Sequence, residues 1–130
     1  MAISLELWRQ LFERAHGPGE LMHGSDMSNV EAIEWASERF PDSNFCLVRE
    51  WVWHEFLFPD DVASELRMQQ IQPVMIRANY VVFDSADRFD QGNWVQSSGL
   101  RSFSEGFIFQ TRNTAYLLLG LGYRKSVAKN

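Results

Sequence analysis

Apolar residues recur at helical spacing near the start of the chain: Leu5, Trp8, Leu11, Phe12 and Ala15 fall on one face of a helix with 3.6 residues per turn. Ser4 precedes them as an N-cap, and Glu6 stands in the first turn, where the helix dipole favours an acid. Gly17 and Pro18 stop the run. A second helix is predicted from Ser28-Asn29-Val30-Glu31, which has the form of a capping box, with Ser28 as N-cap and Glu31 reaching back. Val30, Ile33, Ala36 and Phe40 continue it to Pro41. The stretch from Gly17 to Met27 reads as a loop holding two of the three histidines.

The period then changes. Phe45 to Phe58 reads as a long strand with Phe45, Leu47, Trp51, Trp53 and Leu57 on one face and Cys46, Val48, Val52, Phe56 and Phe58 on the other. Both faces are apolar, which predicts a central strand covered on both sides. Pro59-Asp60-Asp61 opens a short helix to about Gln70, with an aspartate as cap. Val74 to Phe83 is a second strand, and Asp84 to Gly92 is a polar turn region. Short β segments follow: Trp94 to Ser98, Leu100 to Phe103, Phe107 to Gln110 and Thr114 to Leu119. Between them, Ser104-Glu105-Gly106 and Thr111-Arg112-Asn113 suit hairpin loops, with Gly106 and Asn113 taking left-handed geometry. The pattern predicts an α+β fold, with two N-terminal helices and one short middle helix packed on a curled, mainly antiparallel sheet. It is read as a single domain, 1–130. The helical part is 1–43, the sheet part is 44–124 with the inserted helix near 60–70, and 125–130 form a tail.

Composition narrows the class. A chain of 130 residues, 45% of them apolar, buries roughly two-thirds of the surface its unfolded form exposes and needs neither disulfide nor metal to hold a core. The lone cysteine, Cys46, fits a reducing, cytoplasmic setting. No basic stretch leads into an apolar run near the N-terminus, so no signal peptide is expected. The longest apolar runs, such as Ala115 to Leu119, fall far below the roughly 20 residues of a membrane helix. The net charge of −5 divides unevenly: 1–100 carry sixteen acids and seven arginines, whereas 101–130 carry one acid and five bases. The plainer reading is a solvated acidic domain with a basic tail, and the sharper one is a bipolar surface that steers a partner. It lacks the concentrated basic face that nucleic acid requires, so nucleic acid is an unexpected partner.

The candidate chemistry is sparse. His23, Ser25 and Asp26 bring the three groups of a hydrolase into one loop, but neighbouring residues seldom present triad geometry, and a capped polar turn is the plainer reading. Cys46 and His54 share a face of the long strand in this reading, yet at eight residues apart they are separated by roughly 26 Å, so the thiol is expected to be a buried core group. Asp84, Asp87 and Asp90 lack calcium-loop spacing, and Arg88 among them balances charge. His16 and His23 make an unconvincing metal pair. Leu119-Gly120-Leu121-Gly122 ends a strand and is not followed by a helix, so it is read as a strand end or bulge and not as a phosphate loop. No catalytic residue, cofactor or metal is assigned.

The five tryptophans carry more. Most are expected in the core, but Trp94 follows a polar turn, which is the setting of an interface anchor. Trp94, Arg88, Asn93 and Gln96 are the expected partner-binding residues, and the plainer alternative is that Trp94 closes the bottom of a small barrel. Two alternatives stand beside this binding reading. One is a small hydrolase or nucleotide-binding enzyme in which Asp84, Asp87, Arg88, His23 and Asp26 converge. The other is a homodimeric module that pairs through a strand edge.

The C-terminal stretch is similar to a known pattern. Val82-Phe83-Asp84-Ser85, Arg88-Phe89, Gly92-Asn93-Trp94-Val95, Phe103, Gly106-Phe107-Ile108-Phe109-Gln110-Thr111-Arg112-Asn113-Thr114-Ala115-Tyr116 and Gly120, with Leu47 to Trp53 upstream, resemble a family of small, uncharacterised bacterial proteins, a domain of unknown function found chiefly in pseudomonads and their mobile elements. Members tend to have an Arg-Thr pair where this chain has Gln96-Ser97, so nothing resting on that arginine carries over. The resemblance implies a cytosolic bacterial protein, with a phage or mobile-element context, and implies no reaction. The expectation is a non-enzymatic protein that binds another macromolecule, as accessory and inhibitor proteins of mobile elements do.

Overall fold

A computed structural model describes residues 19–128. The first predicted helix and His16 lie outside the described residues. Among them the elements are β1 (Glu20–His23), α1 (Asn29–Arg39), β2 (Asn44–Leu57), α2 (Asp60–Met68), β3 (Val74–Asp84), β4 (Val95–Gln96), β5 (Ser102–Ser104), β6 (Ile108–Gln110), β7 (Thr114–Leu118) and β8 (Leu121–Ala128). The fold is α+β and dominated by its sheet.

Helix α1 starts as its capping box requires. The Glu31 N–H donates to Ser28 Oγ at 3.2 Å, and the Ser28 N–H donates to Glu31 Oε1 at 3.3 Å. Ala32 and Ala36 are its fully buried residues. Helix α2 corrects an expectation: its N-cap is Pro59 and no side chain caps it. Asp60 and Asp61 fall inside the first turn and act only through the helix dipole.

Strand β2 is the spine of the sheet. From Cys46 to Glu55 it pairs antiparallel with β3. Its other edge is shared in sequence, with β7 parallel to Asn44–Val48 and β8 parallel to Val52–Leu57. Strand β1 lies outside β8, β4 outside β3, and β7, β6 and β5 form a meander. The sheet is therefore mixed. Two of its strands enter regions expected to be irregular, β1 within the loop 17–27 and β8, which runs on to Ala128 in the expected tail. Both are held by pairing between distant segments, which no local pattern reports. The chain between β4 and β5 curls the sheet onto itself. Leu100 N–H donates to Val74 O at 2.9 Å on the β3 side, and Arg101 N–H donates to Gln110 O at 2.8 Å on the β6 side.

Inside the curl lie Cys46, Val48, Trp51, Trp53, Ile76, Ala78, Val81, Phe109, Tyr116 and Leu118. Outside it, α1 packs Ala32 and Ala36 against Phe45, Leu47, Val82, Ala115, Leu117 and Leu119. This division overturns the simple alternation expected for β2. Cys46 and Val48 share the interior with Trp51 and Trp53, although Val48 and Trp51 are an odd number of residues apart. The phase changes at Glu50, whose φ is 53°. The register against β3 also shifts by one residue between Leu47 and Val48.

The two hairpins differ. Glu105 and Gly106 have φ of 54° and 78°, as the β5–β6 connection demands of its glycine. A Cβ on Gly106 would meet nothing within 4 Å. Gly106→Val is therefore expected to cost more than about 1 kcal/mol purely through β-branched strain at positive φ, and Gly106→Asn less. Urea midpoints of the two variants check this, and a wild-type midpoint for the valine variant would refute it. In the β6–β7 connection, Asn113 does not adopt positive φ. Thr111 closes that turn instead: its Oγ1 accepts from the Thr114 N–H at 3.2 Å, and its N–H donates to Thr114 O at 2.9 Å.

Candidate interaction surface

The second half of β2 presents its outer face on the side away from Trp51 and Trp53. Register places Leu21, Tyr123, Val52, Arg77 and Gln96 in one row across β1, β8, β2, β3 and β4. Residues opposite one another in a sheet share a face. The row is apolar or aromatic at its β1–β8 end, where Leu21 is 55% exposed and Tyr123 49%, and Leu121 beside them is 54% exposed. At its other end the Arg77 guanidinium carbon lies 5.0 Å above the Trp94 ring, and Trp94 is 59% exposed. A cation over an indole face is attracted by the ring quadrupole, which fixes the ring's orientation without burying it.

Beneath this row the face closes. His54 and Met75 oppose each other and are buried. Burial lowers the His54 pKa to about 4, helped by the positive fields of Lys125 and then Arg77. The imidazole is thus neutral at physiological pH, and the cationic character of the face comes from Arg77 and Lys125.

The expected site residues divide. Trp94 and Gln96 lie on this face, with Gln96 opposite Arg77. The exposed Asn93 ends the preceding turn; its N–H donates to Asp90 O at 3.1 Å, and its carbonyl accepts from Val81 N–H at 2.8 Å. Arg88 is engaged elsewhere. Its NH2 donates to Asp84 Oδ1 at 2.8 Å, its Nε and backbone N–H donate to Asp84 Oδ2 at 3.1 and 2.7 Å, and its NH1 donates to Thr114 Oγ1 at 3.0 Å. Burial raises the Asp84 carboxyl pKa, but these bonds outweigh it and leave the group below its ordinary value. Arg77, which the sequence reading does not select, takes the position beside Trp94. The signal for it is a lone charged residue inside the apolar run Val74 to Phe83.

The other candidate groups do not assemble. Cys46 opposes Asp84 and Tyr116 inside the curl. Burial, then the Asp84 charge, pushes its thiol up to about 12, and burial likewise pushes Tyr116 up to about 12. An unionised, fully buried thiol is a poor nucleophile. The phase change at Glu50 also puts Cys46 and His54 on opposite faces, contrary to the alternation read from the sequence. His23 lies in β1 opposite Leu121. Ser25 Oγ accepts from the Met27 N–H at 3.2 Å, as a turn cap does. Asp84 and Arg88 meet each other but sit inside the curl, on the face opposite to His23. Among the described residues, no group of three His, Cys, Asp or Glu side chains is placed to hold a metal ion, and no helix is long and apolar enough to cross a membrane. Gly120, with φ 70°, separates β7 from β8. The Leu119–Gly122 segment, expected to be a strand end or bulge, joins two strands: Leu121 and Gly122 already belong to β8.

A family model described as "Domain of unknown function (DUF6957)" matches residues 23–130, and the chain belongs to that family. No curated protein and no solved structure matches the chain.

Proposed function

We propose that the protein is non-enzymatic and acts by binding another protein through the outer sheet face that carries Arg77 and Trp94. The observation behind this reading is an indole more than half exposed, oriented by a guanidinium on the outer face of the sheet. Large aromatic rings bordered by polar groups are the usual hot spots of interfaces, and a preordered ring loses little entropy on docking. Tyr123, Leu21 and Leu121 extend the apolar contact along the face, and Asn93 and Gln96 supply polar rim groups. Arg77, not Arg88, supplies the charged contact, because the Arg88 guanidinium is committed to Asp84 and Thr114. The cytoplasmic setting and an accessory or inhibitor role in a bacterial mobile element belong to the same proposal and rest on the resemblance to the family.

Trp94→Ala is expected to weaken partner binding by about 30-fold, equivalent to about 2 kcal/mol. The loss of stability is expected to be about 1 kcal/mol or less, since only the exposed cation–π contact goes. The measurement pairs thermal melts with capture from a host lysate by the wild type and the variant, read by mass spectrometry. A protein retained by the wild type and lost by a fully folded variant supports the proposal. Equal retention by both proteins overturns it.

A further inference from the structure

At the opposite end of β2 from Trp94, the end of α1, the start of β2 and the end of β3 enclose an open cleft of about 430 Å³. That lies within the range of small-ligand sites. Its floor is aromatic. Phe40 and Phe45 have ring centroids 6.3 Å apart with planes inclined by 34°, and Phe45 and Phe83 have theirs 5.8 Å apart at 33°, so the three phenyl groups adjoin one another. Phe83 is 37% exposed despite its size. Around this floor stand serine hydroxyls, the Asn44 amide and one charged side chain, the exposed carboxylate of Asp42; no basic side chain lines the cleft.

Three features here favour positive charge. Phenyl faces carry the negative part of the ring quadrupole. Helix α1 ends at the cleft, with Ser37 from its last turn and its C-cap Phe40 among the lining residues, and the last carbonyls of a helix carry the negative end of its dipole. Asp42 adds a full negative charge. One of these rings already takes such a partner within the chain: the Arg39 guanidinium carbon lies 5.4 Å from the Phe40 centroid. The Arg39 charge is offset by Glu105, 3.8 Å away, and Arg39 does not line the cleft.

We infer that this cleft binds an organic cation, an ammonium or guanidinium head seated on Phe40 and Phe83, beside the buried Phe45, with its charge toward Asp42. The head group can belong to a free small molecule or to a lysine or arginine side chain, and the two sources are separable. The full chain is titrated by NMR with choline, with its neutral isostere 3,3-dimethylbutanol, and with the N-acetyl methylamides of arginine and lysine. The expected result is saturable shifts at the Phe40, Asp42 and Phe83 amides in the millimolar range for a cation, with binding about fivefold weaker or worse for the neutral isostere. Asp42→Asn and Phe83→Ala are each expected to weaken that binding by about fivefold at unchanged circular dichroism. Preference for choline identifies a free ammonium ligand, and preference for an amino-acid amide identifies a partner's side chain. The inference is overturned if the neutral isostere binds as tightly, if Asp42→Asn has no effect, or if no probe saturates. The Trp94→Ala variant should bind these cations as the wild type does, so this result and the fate of the sheet face are independent.

Discussion

Trp51→Ala is expected to lower stability by about 3–5 kcal/mol, as loss of a buried tryptophan does. Trp51 is 1% exposed and is the largest fully buried side chain among the described residues. Its indole N–H donates to Leu119 O at 3.0 Å, at the break between β7 and β8. That break also holds β2, since the Leu119 N–H donates to Val48 O at 3.0 Å. The ring lies flat against Gly122, where an added Cβ would come within 2.4 Å of two indole carbons. The ring and the missing side chain are therefore one packing unit. Gly122→Ala alone is expected to cost about 1–3 kcal/mol by overpacking. In a Trp51→Leu background the same change should cost much less, because the obstructing ring is gone. Urea unfolding of the four proteins gives the coupling directly. Additive effects would show that the glycine and the indole do not share a space.

This pair also marks what the sequence could reveal. β2 and β3 are legible because long apolar runs rich in aromatic and β-branched residues have few other solutions. Helix α1 is legible from Ser28 and Glu31, whose spacing is the whole of the capping mechanism. Strands β1 and β8 are not legible. The first is four residues long, and the second carries Arg124-Lys125-Ser126 in its middle, so neither has an apolar stripe of its own. What makes them strands is pairing with distant segments, β1 with β8 and β8 with β2, which the close approach of the Leu118 backbone at Gly24 and of the Trp51 ring at Gly122 permits. The face assignment within β2 fails at Glu50, because a glutamate gives no warning of positive φ.

The interaction surface divides in the same way. A tryptophan after a polar turn points to Trp94 without any structure. Its contact with Arg77 depends on the register of β3 against β4, seventeen residues further along the chain. Arg88 had a local signal of its own, since Asp84 stands four residues before it. That spacing marks an ion pair as readily as an exposed contact.

The second large effect is expected at that pair. Arg88→Met is expected to cost about 3 kcal/mol at pH 7, the lower part of the range for breaking a buried ion pair. The Asp84 side chain is fully buried, while 34% of the Arg88 side chain reaches solvent. Removing the guanidinium leaves a buried carboxylate held by the backbone N–H groups of Ala86 and residue 88. The sign of the pH dependence follows. In the wild type the folded pKa of Asp84 is lowered, so its contribution is present above its unfolded pKa and is lost as pH falls through the folded value. In Arg88→Met the opposing burial is no longer outweighed, and the folded pKa should rise above the unfolded one. The carboxyl is then penalised at neutral pH and relieved as it takes up a proton. The stability gap between variant and wild type should accordingly narrow as pH falls from 7 toward 4. Arg88→Met combined with Asp84→Asn should be more stable at pH 7 than Arg88→Met alone, because an amide is cheaper to bury than a bare carboxylate. Urea unfolding at pH 7 and pH 4 tests both expectations. A gap independent of pH would mean that Asp84 stays ionised without Arg88, and that the two backbone donors suffice to hold it.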